Sequence, residues 1–147
     1  MIITFVGHGS ICSVEGMFEK VENAIRKNII SSENTTFYCG GMGDFDELCA
    51  RVCFSIKQKT KNCEVLLITP YLNRNNPNGI KYDNIVYPPI ETVPLRFAVN
   101  KRNRWMIDNA DLIIAYVDHN YGGAHSTLEY AKRKKKRVIN LVDNMDI

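Results

Sequence analysis

Apolar positions along the chain alternate between two periods, and the alternation predicts a layered α/β domain. Ile2–Val6 is a short β-rich apolar run stopped by Gly7, which reads as a buried first strand. Val14, Met17, Phe18, Val21, Ile25 and Ile29 then recur at helical spacing, with Ser13 placed to cap the start. Thr35–Cys39 is the second strand. Phe45, Leu48, Cys49, Val52, Cys53 and Ile56 outline the second helix, and Glu64–Thr69 the third strand, ended by Pro70. A third helix is expected from near Ala98 to Asn109, a fourth strand over Leu112–Val117, a fourth helix to about Lys134, and a last strand over Arg137–Val142.

Strands that alternate with helices call for a parallel sheet covered on both faces. The expectation is a Rossmann-like three-layer sandwich: one domain over residues 1–147 with a mostly parallel five-stranded sheet in the order 3-2-1-4-5. Residues 70–97 interrupt the pattern. They hold all five prolines and no clear helix, and read as a lid over the site or a surface excursion, with a short strand conceivable at Asn84–Tyr87.

In such sheets ligands sit at the carboxyl ends of the strands, where the winding reverses. Three glycine-containing segments leave strands one, two and four at that edge. They are Gly7-His8-Gly9-Ser10, Gly40-Gly41-Met42-Gly43-Asp44, and Asp118 to Ser126. Glycines between a strand and a helix let backbone N–H groups approach an anion, and the helix start adds favourable partial charge. The candidate binding residues are therefore Gly7, His8, Gly9, Gly40, Gly41, Gly43, Asp44, Gly122, Gly123, His125, Ser126, Thr127 and Glu129. Several have plainer readings. Asp44 and Glu47 have capping-box spacing, and Glu129 is a favourable first-turn acid. Arg102 and Arg104 could each hold phosphate through paired hydrogen bonds or simply face solvent, while Trp105 and Met106 read as core.

Composition narrows the classes. No apolar run is long enough to span a bilayer, and the apolar start is too short for a secretory leader, so a cytoplasmic protein is expected. The five cysteines form no CxxC pair, so they read as reduced core residues, and neither a metal nor a cofactor is expected. The net charge of +3 is modest, and much of the excess lies in Lys132–Arg137, where cations suit a helix end. Nucleic acid is accordingly an unfavoured partner.

Taken in order, Val6-Gly7-His8, Gly40–Asp46, Glu91–Pro94 with Arg96-Phe97, Arg102-Asn103 with Trp105-Met106, and Gly122-Gly123 resemble the SLOG superfamily. That superfamily joins the DNA-processing Smf proteins and the Lonely Guy phosphoribohydrolases, and the resemblance is nearest to its small YpsA-like members. It implies a nucleotide-type ligand and a homodimer or higher homo-oligomer. The hydrolases carry an arginine ahead of their fourth-strand region and a GGxGTxxE motif; Arg102 falls at that arginine and Glu129 at the motif glutamate, the two catalytic candidates. His125 replaces the third glycine and Ser126 the threonine, and the preceding proline is absent. These changes alter the phosphate-binding turn. The reading is thus a sensor or sequestering protein for a nucleotide, cyclic nucleotide or ADP-ribose-like molecule. An N-glycosidic hydrolase or transferase is the alternative, and single-stranded DNA binding ranks third.

Overall fold

A computed structural model describes residues 1–10, 15–72 and 79–144. Strand β1 (Ile2–Gly7) is followed by α1 (Met17–Arg26), β2 (Thr35–Cys39), α2 (Asp44–Lys59) and β3 (Cys63–Ile68). Then come β4 (Asn84–Val86), a 3-10 turn at Leu95–Phe97, α3 (Ala98–Asn109), β5 (Leu112–Tyr116), α4 (Gly122–Arg133) and β6 (Arg137–Asn140). The strands form one sheet, β4-β3-β2-β1-β5-β6, and every pair is parallel.

The sheet has six strands rather than the expected five. The addition, β4, comes from the proline-rich segment and pairs with β3 through Leu66–Asn84, Leu67–Ile85 and Ile68–Val86. It falls on the short strand considered at Asn84–Tyr87, whose three residues ahead of Tyr87-Pro88-Pro89 carry too little alternation to place it in the sheet. The described part of the segment is therefore built into the sheet's edge, with Ile80 and Ile90 buried. The other five strands keep the expected order.

Strand alternation sends side chains to opposite faces, and the two faces collect different partners. Ile3, Phe5, Phe37, Val65 and Ile114 meet Met17, Val21 and Ile25 of α1 and Phe45, Cys49, Val52, Cys53 and Ile56 of α2. On the other face Val6, Ile113 and Ala115 meet Ile107 near the end of α3 and Leu128 and Ala131 of α4. Cys39, Cys49 and Cys53 are buried free thiols, and burial pushes those of Cys49 and Cys53 well up. Cys12, Ser13 and Val14 lie outside the described residues; α1 begins after Gly16, in the left-handed region at φ 80°.

The basic run ends α4 with a Schellman turn: the N–H of Lys135 donates to Lys132 O, and that of Lys136 to Ala131 O. Lys135 takes φ 57° to make it. The Nζ of Lys136 then donates to the carbonyls of Asp108 and Ala110, closing the end of α3.

Candidate functional site

The winding reverses between β1 and β5, and the segments leaving these strands meet. Asp44 N–H, at the start of α2, donates to Gly9 O at 2.8 Å, so the β1 and β2 loops are joined through backbone. Gly43 has φ 94°, and a Cβ there would stand 2.7 Å from the Gly9 Cα. A Cβ on Gly7 would stand 2.2 Å from the Phe45 ring, and one on Gly40 2.9 Å from the Asp46 carboxylate. These three glycines answer to packing. Gly9 and Gly123, in contrast, face open space, as does Gly122, which has φ 89°.

No capping box forms on α2. Its cap is Gly43, without a side-chain hydrogen bond, and Asp44 already lies within the helix. The acid that serves the loop is Asp46, whose Oδ2 accepts the Met42 N–H at 3.0 Å, while Glu47 pairs with Arg51. The tight turn at Gly43 carries the chain directly into the helix, leaving Asp44 one position too late to cap.

Arg102 is 2% exposed, and its guanidinium is largely committed to protein atoms. Nη1 donates to the carbonyls of Gly40 and Ile68, both at 2.7 Å, and Nε donates to Asn103 Oδ1 at 2.8 Å. It thereby ties the ends of β2 and β3 to α3. Beside it lies a pocket of about 140 Å³ whose lining includes Gly7, Met42, Asp46, Met106, Gly123 and Thr127. Thr127 Oγ1 donates back to Gly123 O within α4. Trp105 is half-buried and stacks on Tyr38 at 5.5 Å.

A larger cleft, about 490 Å³, opens on the other side of α4. It is lined by Asp118, His119, Asn120, His125, Glu129, Lys132 and Asn140, with Val117 and Leu128 as its apolar part. Ser126 is exposed on α4, and Glu129 pairs with Lys132 at 3.5 Å. The first turns of α4 thus separate two cavities, with Arg102 at one and Glu129 at the other. No side chain caps α4; its cap residue is Tyr121.

At the crevice itself His8, 9% exposed, reaches Asp118. His8 Nε2 lies 3.1 Å from Asp118 Oδ1 and also accepts the Asp118 backbone N–H at 3.1 Å. His119 Nδ1 is 2.8 Å from the same carboxylate oxygen, and the two imidazoles stack with centroids 3.6 Å apart. Burial, and then the neighbouring His119, hold His8 below the usual histidine value against the opposing pull of Asp118. The hydrogen bond from His119 holds Asp118 below the usual carboxyl range. Sequence reading named His8 and placed the Asp118–Ser126 segment at this edge but did not single out Asp118 and His119, whose Asp-His-Asn run at a strand end was the available signal.

No family model matches the chain, and a search of curated proteins finds no match. Solved structures do resemble it. The X-ray structure of TM1055, a structural-genomics target, superposes with a TM-score of 0.58 at 15% identity, covering 93% of this chain and 71% of that one. DNA processing protein A from Helicobacter pylori, described for its single-stranded DNA binding mode, gives a TM-score of 0.64 at 13% identity. That match covers 94% of this chain, which spans 63% of the other's length. At these identities the shared property is the fold. It is Rossmann-like.

Proposed function

We propose that the chain binds a nucleotide-type small ligand in the cleft beside α4, as a sensor or sequestering protein of the YpsA-like SLOG kind. The observation that carries this reading is a polar cleft of about 490 Å³ adjoining a helix start that has no side-chain cap. The pocket beside Arg102 is smaller, at about 140 Å³. His125, in the first turn of α4, faces the phosphate from the cleft wall, helped by the partial positive charge of the helix start. Lys132 supplies countercharge from the cleft wall, and Glu129 accepts from a ribose hydroxyl. In this reading Arg102 serves the scaffold, through Gly40 and Ile68, and does not touch the ligand.

The test is thermal-shift and calorimetric screening against nucleoside mono- and diphosphates, cyclic nucleotides and ADP-ribose. Lys132→Glu serves as the variant, since Lys132 lines the cleft and its side chain is 60% exposed. The substitution repels phosphate while leaving the fold in place. Binding by the wild type and not by the variant supports the reading; silence across the panel refutes it. The hydrolase alternative is disfavoured because Arg102 and Glu129 line different cavities.

A second reading follows from the likeness to a protein described as binding single-stranded DNA, and it weakens the expectation that nucleic acid plays no part. Arg104, Arg133 and Lys134 gather within 6 Å of the Tyr130 ring and would form such a surface. Retention of an oligonucleotide that falls steeply with salt supports it, and no shift at low salt removes it.

A further inference from the structure

The geometry points to a divalent transition-metal site at the β1–β5 crevice, with His8 Nε2, Asp118 Oδ1 and His119 Nδ1 as protein ligands. This inference rests on the donor geometry alone and is independent of the nucleotide reading.

The first observation is convergence. The chain has three histidines, and the fold brings all of them to one sheet edge. His8 leaves β1, His119 follows β5, and His125 lies in the opening of α4, where it lines the same cleft as His119. The donor atoms of His8, Asp118 and His119 lie within 4.8 Å of one another. Two of the separations, 3.1 and 2.8 Å from Asp118 Oδ1, are close to the edge of a coordination polyhedron with bonds of about 2.0–2.2 Å.

The second observation is a conflict among the hydrogen bonds. His8 Nε2 faces the Asp118 N–H and the Asp118 carboxylate at the same distance, 3.1 Å. A bare Nε2 lone pair suits the N–H but opposes the carboxylate oxygen. A protonated Nε2 suits the oxygen but opposes the N–H. No single tautomer satisfies both neighbours. A cation between Nε2 and Oδ1 removes the opposition of the two lone pairs, and the amide of the exposed Asp118 passes to water.

Binding has a steric requirement. The imidazoles stack at 3.6 Å with planes only 10° apart, so one ion cannot lie in both ring planes. His119, a third exposed and in a loop, turns to meet the ion while the buried His8 stays. The His119 Nδ1 proton, now shared with Asp118, is replaced by one on Nε2 as the metal bond forms, so the neutral ring changes tautomer with no net proton lost. Two imidazoles and one carboxylate suit Zn²⁺, Co²⁺, Ni²⁺ or Fe²⁺ rather than Mg²⁺ or Ca²⁺. Three protein ligands leave positions open toward the cleft.

The experiment uses the full chain without a histidine tag. Zn²⁺ is titrated calorimetrically, and Co²⁺ is followed by its visible absorption. One ion per chain is expected, with imidazole NMR shifts confined to His8 and His119. His119→Ala and Asp118→Asn, both in an exposed loop, should each weaken affinity by about tenfold or more, whereas His125→Ala should leave it within about twofold. Absence of binding, or affinity lost only in His125→Ala, overturns the assignment. Neither result bears on the nucleotide screen, which is run without metal.

Discussion

Replacing Arg102 by methionine keeps the length and apolar stem of the side chain and deletes its donors. In the wild type Nη1 serves the Gly40 and Ile68 carbonyls at 2.7 Å each, in a position 2% exposed. Hydrogen bonds to a charged group contribute about 1.5–3 kcal/mol apiece, and buried acceptors left unpaired lose a comparable amount. Allowing for local relaxation, Arg102→Met should cost about 3–5 kcal/mol. For a domain of this size that lowers the melting temperature by roughly 10 °C. Arg102→Lys should recover less than half, because an ammonium on a single stem cannot replace the planar fork. Urea denaturation followed by far-ultraviolet circular dichroism measures all three proteins. A methionine variant within about 1 kcal/mol of wild type would refute the claim that this guanidinium ties β2 and β3 to α3.

Other substitutions test separate parts of the scaffold. Gly7→Ala puts a methyl 2.2 Å from the Phe45 ring, fully buried at 0% exposure, and should destabilise by about 1–3 kcal/mol in the same denaturation assay. Lys135→Gly relieves a left-handed residue at φ 57° and should raise stability by about 0.5–1 kcal/mol; a loss would contradict the Schellman turn. Burial alone would raise the Asp83 carboxyl, but hydrogen bonds from Lys57 and the Val65 N–H hold it below 3.8. A depressed carboxyl stabilises the fold above its unfolded value and loses that contribution as pH falls through its folded value. Asp83→Asn should therefore lower stability at neutral pH and flatten its fall below pH ~4, as read from denaturation midpoints across an acid series.

The sheet was legible because its five longer strands are apolar runs bounded by glycine, proline or polar turns, and their order follows from parallel winding. The edge strand Asn84–Val86 was legible only as a possible short strand, not as a sixth member of the sheet, since its residues are exposed or half-buried and present no apolar face to read. Within the site, the glycine segments were found, but their separate duties were not. Gly43 is required by its contact with Gly9, which lies far away in sequence, so no local pattern reveals it. Arg102 was singled out for a ligand, and its commitment to two strand-end carbonyls depends on a crossover that composition does not encode. Asp118 and His119 matter because His8 arrives opposite them, which is again a product of topology.

The unequal freedom of the loop glycines limits how the site can be altered. Gly7, Gly40 and Gly43 have no room for another carbon, and Gly122 has the room but a backbone angle that disfavours it. Gly9 and Gly123 alone among these six combine open space with an ordinary backbone. Side chains can therefore be added at two positions, one beyond each strand of the crevice, while the scaffold stays intact. A library randomised at Gly9 and Gly123 would vary the surface of this edge at little cost in stability.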